Sequence, residues 1–100
     1  MASIPRELMD EFYQLHKAAM KNRDFERANA FSSAEDTVNS WLHGRSPATV
    51  LSLCKNTFVS LSEDARMPEN VRSAYTEAVA VTEAVAAKHG LELVTDPSTA

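Results

Sequence analysis

Apolar residues recur along this chain at steps of three and four, in four separate runs. In the first, Ile4, Leu8, Phe12, Leu15 and Ala19 share one face of a helix. Ser3 is placed to cap it, and Pro5 suits the first turn, where a missing N–H removes no hydrogen bond. Glu7, Asp10 and Glu11 stand early and Lys17 and Lys21 late, which complements the helix dipole. The second run, Ala28, Phe31, Val38 and Leu42, follows Asn22 and Asp24, either of which can cap, and ends at His43-Gly44. Ser46-Pro47 opens the third, with Val50, Cys54, Phe58 and Leu61 on one face. Pro68 opens the fourth, whose stripe is Val71, Tyr75, Ala78, Thr82, Val85 and His89. Gly90 closes it, and Leu91 is the apolar residue that a Schellman cap favours.

The pattern therefore predicts an all-α fold with helices over about 4–21, 24–43, 47–61 and 68–89. Strand alternation is absent except for a weak signal in "LELV" (91–94). Residues 91–100 are expected as a short tail, partly extended or frayed, and docking of 91–94 on the bundle is left open. Short connections make consecutive helices antiparallel, so residues 1–100 read as one compact four-helix bundle-like domain.

The fourth helix departs from the usual amphipathic layout. Opposite its stripe stand Ser73, Thr76, Ala80, Ala84 and Ala87, with Glu77 and Glu83 on the flanks. A solvent-facing helix normally carries more charge. Two readings follow. The helix is central and covered on two sides, or its alanines merely supply helix propensity. Otherwise the small side chains form a homodimer or partner surface, because they let a neighbour approach closely. On the second reading the contact residues are Thr76, Ala80, Glu83, Ala84 and Ala87.

Composition adds mostly exclusions. A chain of 100 residues, 44% apolar and 24% charged, can bury one core without metal or disulfide staples. A single cysteine gives no internal disulfide and no sign of an oxidising compartment. No signal peptide is visible, and the apolar run "AVAV" (78–81) is far too short to span a bilayer, so a cytoplasmic location is expected. The net charge of −4 disfavours nucleic acid and anionic membranes, whose ligands usually show a basic patch.

Local chemistry is equally sparse. His16, His43 and His89 have no His or Cys at i+3 or i+4, so no metal motif exists and the histidines read as structural. Cys54 lies at the centre of an apolar stripe, where a free cysteine behaves as a small hydrophobe. Glu35 stands at the edge of the second stripe, and Asp36 points elsewhere, so the two form no dyad. No nucleophile elbow, phosphate loop or cofactor motif appears, and the expectation is no catalytic residue, no cofactor and no metal. Arginine is the charged residue that interfaces enrich, which places Arg23, Arg27 and Arg45 among the candidate contacts.

Residues 44–50, "GRSPATV", resemble the turn and recognition-helix start of helix-turn-helix regulators, which often read G-x-S-x-x-T-V. The resemblance implies that Gly44 makes the tight turn, Ser46 caps and Val50 is buried. It also implies that Pro47, Ala48, Leu51, Ser52 and Lys55 face DNA, within a reading unit of residues 40–56. Arg45 stands where the pattern has an apolar residue, His43 where it has leucine and Asn39 where it has a small aliphatic. One lysine on the reading helix is little for phosphate contacts.

The leading expectation is thus a non-enzymatic helical interaction protein that docks onto a partner protein or host complex, with homodimer formation as a variant. Small acidic helical proteins without motifs are frequent among phage and other mobile-element accessory proteins, which makes an inhibitor or regulator of that type the expected role. The alternatives are the DNA-binding regulator above and a bundle that holds a small apolar ligand, or catalyses, beside Glu35 and a histidine.

Overall fold

A computed structural model describes residues 3–94 of the chain. They form four helices: α1 (Ile4–Lys21), α2 (Phe25–Trp41), α3 (Pro47–Ser62) and α4 (Glu69–Lys88). Three are opened by the side chains that the sequence singles out. Ser3 Oγ accepts from the Arg6 N–H at 3.3 Å, Asp24 Oδ1 from the Arg27 N–H at 3.1 Å and Ser46 Oγ from the Thr49 N–H at 3.3 Å. At α4 no side chain caps, and the Pro68 carbonyl accepts from the third and fourth N–H groups, those of Val71 and Arg72.

α2 ends two residues before the predicted His43. Its last bond is a long i−3 contact, Leu42 N–H to the Asn39 carbonyl at 3.4 Å, so the final turn has already loosened. Leu42 is the cap, and Gly44, at φ +73°, turns the chain two residues later. The other predicted boundaries fall within one residue.

Consecutive helices run antiparallel, and tertiary contacts fix the arrangement. Glu7 near the start of α1 meets Lys88 and His89 at the end of α4, while Asp24 at the start of α2 accepts from Asn70 at the start of α4. Leu8 and Phe12 of α1, Phe31 and Val38 of α2, Val50, Leu51, Cys54 and Phe58 of α3, and Ala78 of α4 are fully or almost fully buried. Phe58 is central: the Phe12 ring meets it edge-on at 5.4 Å, and Tyr75 stacks on it at 6.1 Å. Ala28, Ala30 and Ala34 are buried too, so α2 packs closely against both α1 and α4. Two expected stripe members lie off the core. Leu42 is only half-buried at the helix cap, and His89 turns aside to Glu7.

After α4 the chain does dock on the bundle. Leu91 and Leu93 pack against the core, and the Val94 N–H donates to Ser52 Oγ on α3 at 3.0 Å. The expectation for the tail beyond residue 94 lies outside the described residues. The molecule measures 37 × 32 × 21 Å, and the short axis equals two helix diameters. Two layers of helices leave every helix with one face to solvent.

Candidate docking surfaces

That two-layer build removes one reading of α4, in which a second helix covers its outer face. Its outer face is not covered by another helix: Ser73, Thr76, Ala80, Glu83, Ala84 and Ala87 are all exposed. Among the exposed positions from Ser73 to Ala87 only Glu83 is charged, whereas the exposed side of α1 presents Arg6, Asp10, Glu11, Lys17 and Lys21. Thr76 donates its hydroxyl back to the Arg72 carbonyl at 3.0 Å, so the face offers few free polar groups.

The three arginines proposed as contacts separate. Arg27 is half-buried, ion-paired with Glu77 and laid over the Phe31 ring at 4.9 Å. It fastens α2 to α4 and is not a free contact group. Arg45 is exposed but occupied. Its guanidinium lies 5.0 Å from the Trp41 ring and donates to the carbonyls of Trp41 and His43 at 3.5 and 3.2 Å. It supplies the positive charge that the last turn of α2 lacks. Trp41 is partly buried against the core. Arg23 alone is left exposed at the α1–α2 turn, and it holds a left-handed backbone, φ +59°.

Burial also bears on the helix-turn-helix resemblance. Val50 is buried as that family implies, but Leu51 and Ser52 are 0% and 1% exposed. The Ser52 hydroxyl donates to the Ala48 carbonyl at 2.7 Å and accepts from Val94. Two of the five residues implied to read DNA therefore face the interior and the C-terminal segment, a placement that short-range sequence similarity does not reveal.

Nδ1–H of His16 donates to the Ala28 carbonyl at 2.9 Å, tying α1 to α2. Burial pushes the Cys54 thiol up to about 12, far from the thiolate that catalysis needs. Glu35 is half-buried at the stripe edge. An open groove of about 260 Å³ does run between α2 and α4, lined by Glu26, Asn29, Ala30, Ser33, Val71 and Tyr75. Neither Glu35 nor a histidine lines it. Among the described residues no cluster of three or more His, Cys, Asp or Glu side chains could hold a metal ion, and no helix is long and apolar enough to cross a membrane.

One surface has no counterpart in the sequence expectations. Tyr13, Met20 and Phe25 are 47%, 45% and 55% exposed, high values for large apolar side chains. The signal for them was available: Tyr13 and Met20 fall about 100° and 80° round the helix from Phe12, and Phe25 stands outside the Ala28–Phe31–Val38 stripe.

Comparison with protein-family models, curated proteins and solved structures found no match to the chain. The fold and these surfaces define its class, a small all-α four-helix bundle.

Proposed function

We propose that this domain is a non-enzymatic docking module that covers part of a partner protein and so regulates or inhibits it. The observation that supports this most is the outer face of α4. From Ser73 to Ala87 it extends roughly 20 Å at 1.5 Å per residue, and its exposed residues are small except for Glu83. Small side chains let an opposing helix or loop come close, and ordering them loses little rotamer entropy. A homodimer through the same face is a variant of this reading.

The test is affinity purification from the native host with the full chain as bait, followed by mass spectrometry, beside an Ala84→Arg bait. Ala84 is exposed, so the arginine leaves the fold intact while obstructing close approach. We expect one partner to be retained by the parent chain and lost with the variant. A well-folded Ala84→Arg chain that keeps the partner rejects the α4 surface. A monomer in light scattering that retains nothing rejects the docking reading itself.

A further inference from the structure

The corner where α1 turns into α2 carries a second surface with the opposite character. Tyr13, Lys17 and Met20 follow one another at steps of four and three, so they line one side of α1 over about two turns. The Lys17 ammonium lies 4.9 Å from the centre of the Tyr13 ring. After Met20 the helix closes through the Arg23 N–H, which donates to the Met20 carbonyl, and Phe25 then opens α2 with its ring largely in solvent. Two of the four exposed large apolar residues in the described chain, Met20 and Phe25, thus flank the turn of one helical hairpin, and Tyr13 extends the Met20 side of α1 by about two turns.

The charge around them is uncompensated. Lys17, Lys21 and Arg23 are exposed, and among the described residues none of them pairs with a carboxylate. The two acids that follow Arg23 belong to other features, and the exposed acids of α1, Asp10 and Glu11, stand at least one and a half turns before Lys17. Asp24 is held by the Arg27 N–H and the Asn70 amide as the cap of α2, and Glu26 lines the groove beside Val71 and Tyr75. A chain of net charge −4 therefore concentrates positive charge where it exposes its largest apolar groups. Arg23 keeps this place in a backbone conformation that strongly favours glycine.

We propose that the α1–α2 corner is a docking site for an acidic protein segment that presents aromatic or aliphatic side chains to Tyr13, Met20 and Phe25 and carboxylates to Lys17, Lys21 and Arg23. Charge complementarity selects this occupant. A second copy of the chain would bring the same cations against each other. An anionic bilayer gains only about 1 kcal/mol from each cation near its surface and would also face the repulsion of the net −4 chain. The site is independent of the α4 face.

The test uses the full chain and a defined probe: a fluorescent peptide alternating Glu with Leu and Phe, and its counterpart with every Glu replaced by Lys. Anisotropy titration is expected to show binding of the acidic peptide at low salt, weakened as salt rises. Amide shift changes are expected to fall within residues 13–26 in the NMR spectrum. Lys17→Glu combined with Lys21→Glu should raise the Kd by roughly tenfold or more, and Phe25→Ser by roughly tenfold, while Ala84→Arg leaves it unchanged. Both corner variants alter exposed side chains, and circular dichroism confirms their folding. The proposal is overturned by no binding of the acidic peptide, by equal binding of the lysine peptide, or by shift changes that map to α4. It is equally overturned by binding to phosphatidylserine vesicles in place of the peptide, or by a dimer that Phe25→Ser abolishes.

Discussion

Two helices of this bundle end in the same hydrogen-bond pattern with different residues at the left-handed position. At α4 the Leu91 N–H reaches the Ala86 carbonyl and the Gly90 N–H the Ala87 carbonyl, with Gly90 at φ +66°. At α1 Asp24 bonds to Ala19 and Arg23 to Met20, with Arg23 at φ +59°. An L-residue in that conformation costs roughly 1–2 kcal/mol, of which the extra freedom of glycine in the unfolded chain would return only part. Arg23→Gly is therefore expected to stabilise the domain by about 0.5–1 kcal/mol, a rise of a few degrees in Tm. The same change should weaken binding of the acidic peptide, so stability and binding move in opposite directions. A calorimetric scan in which Arg23→Gly melts earlier contradicts the strain argument. Gly90→Ala should lose about 1 kcal/mol, and since nothing lies within 4 Å of the added Cβ, that loss is conformational alone. Cys54 supplies a different check. With its thiol buried and pushed up to about 12, it should resist alkylation at neutral pH until the chain unfolds.

The helices show how far a one-dimensional pattern reaches. Caps and stripes were legible because they depend on neighbours three or four residues away: Ser3, Asp24 and Ser46 cap, and Leu8, Phe12, Phe31, Val38, Cys54 and Phe58 are buried. Leu42 lay on the same stripe but missed the core, because α2 loosens at Asn39 and the residue falls on the cap. The engagement of Arg27 and His89 was not legible, because their partners Glu77 and Glu7 lie 50 and 82 residues away, whereas Arg45 reaches Trp41 only four residues back. The exposed corner is not legible in the stripes, because a buried stripe says nothing of apolar residues that fall off it. A prediction follows for packing. Phe58→Ala removes the ring on which both Phe12 and Tyr75 rest, and should cost about 3–5 kcal/mol. Against a typical stability of about 5–15 kcal/mol that is enough to lower the urea midpoint sharply. Val38→Asp should prevent folding, since Val38 is fully buried, whereas Leu42→Asp at its half-buried cap should be tolerated. Equal damage from the two aspartates would show that α2 continues packed beyond Trp41.

At the scale of the molecule the first and last helices are joined by one carboxylate. Glu7 of α1 accepts from Lys88 Nζ and from His89 Nε2, each at 3.1 Å, across more than eighty residues of chain. The hydrogen bond from His89, then that from Lys88, holds its carboxyl below the ordinary value of 4.5. Asp64 is also lowered, to about 2, by the Arg66 side chain and backbone, but that pair lies within one turn and joins no helices. A carboxyl that is depressed in the folded state leaves the unfolded chain holding more protons in the range between the two values. Stability from Glu7 is then fully present above about pH 4.5 and is lost as the pH falls through its folded value. Both pairs are solvent-exposed, so the change should be modest and should shrink in salt. The measurement is the urea midpoint as a function of pH. The parent chain should give a decline that begins below about pH 4.5, and Glu7→Gln should start lower at neutral pH and decline less. Asp64→Asn should leave the onset of that decline in place and flatten it between the ordinary aspartate value of 3.8 and about 2. If Glu7→Gln reproduces the parent curve in full, the contact between the first and last helices contributes nothing, and the bundle is closed by its apolar core alone.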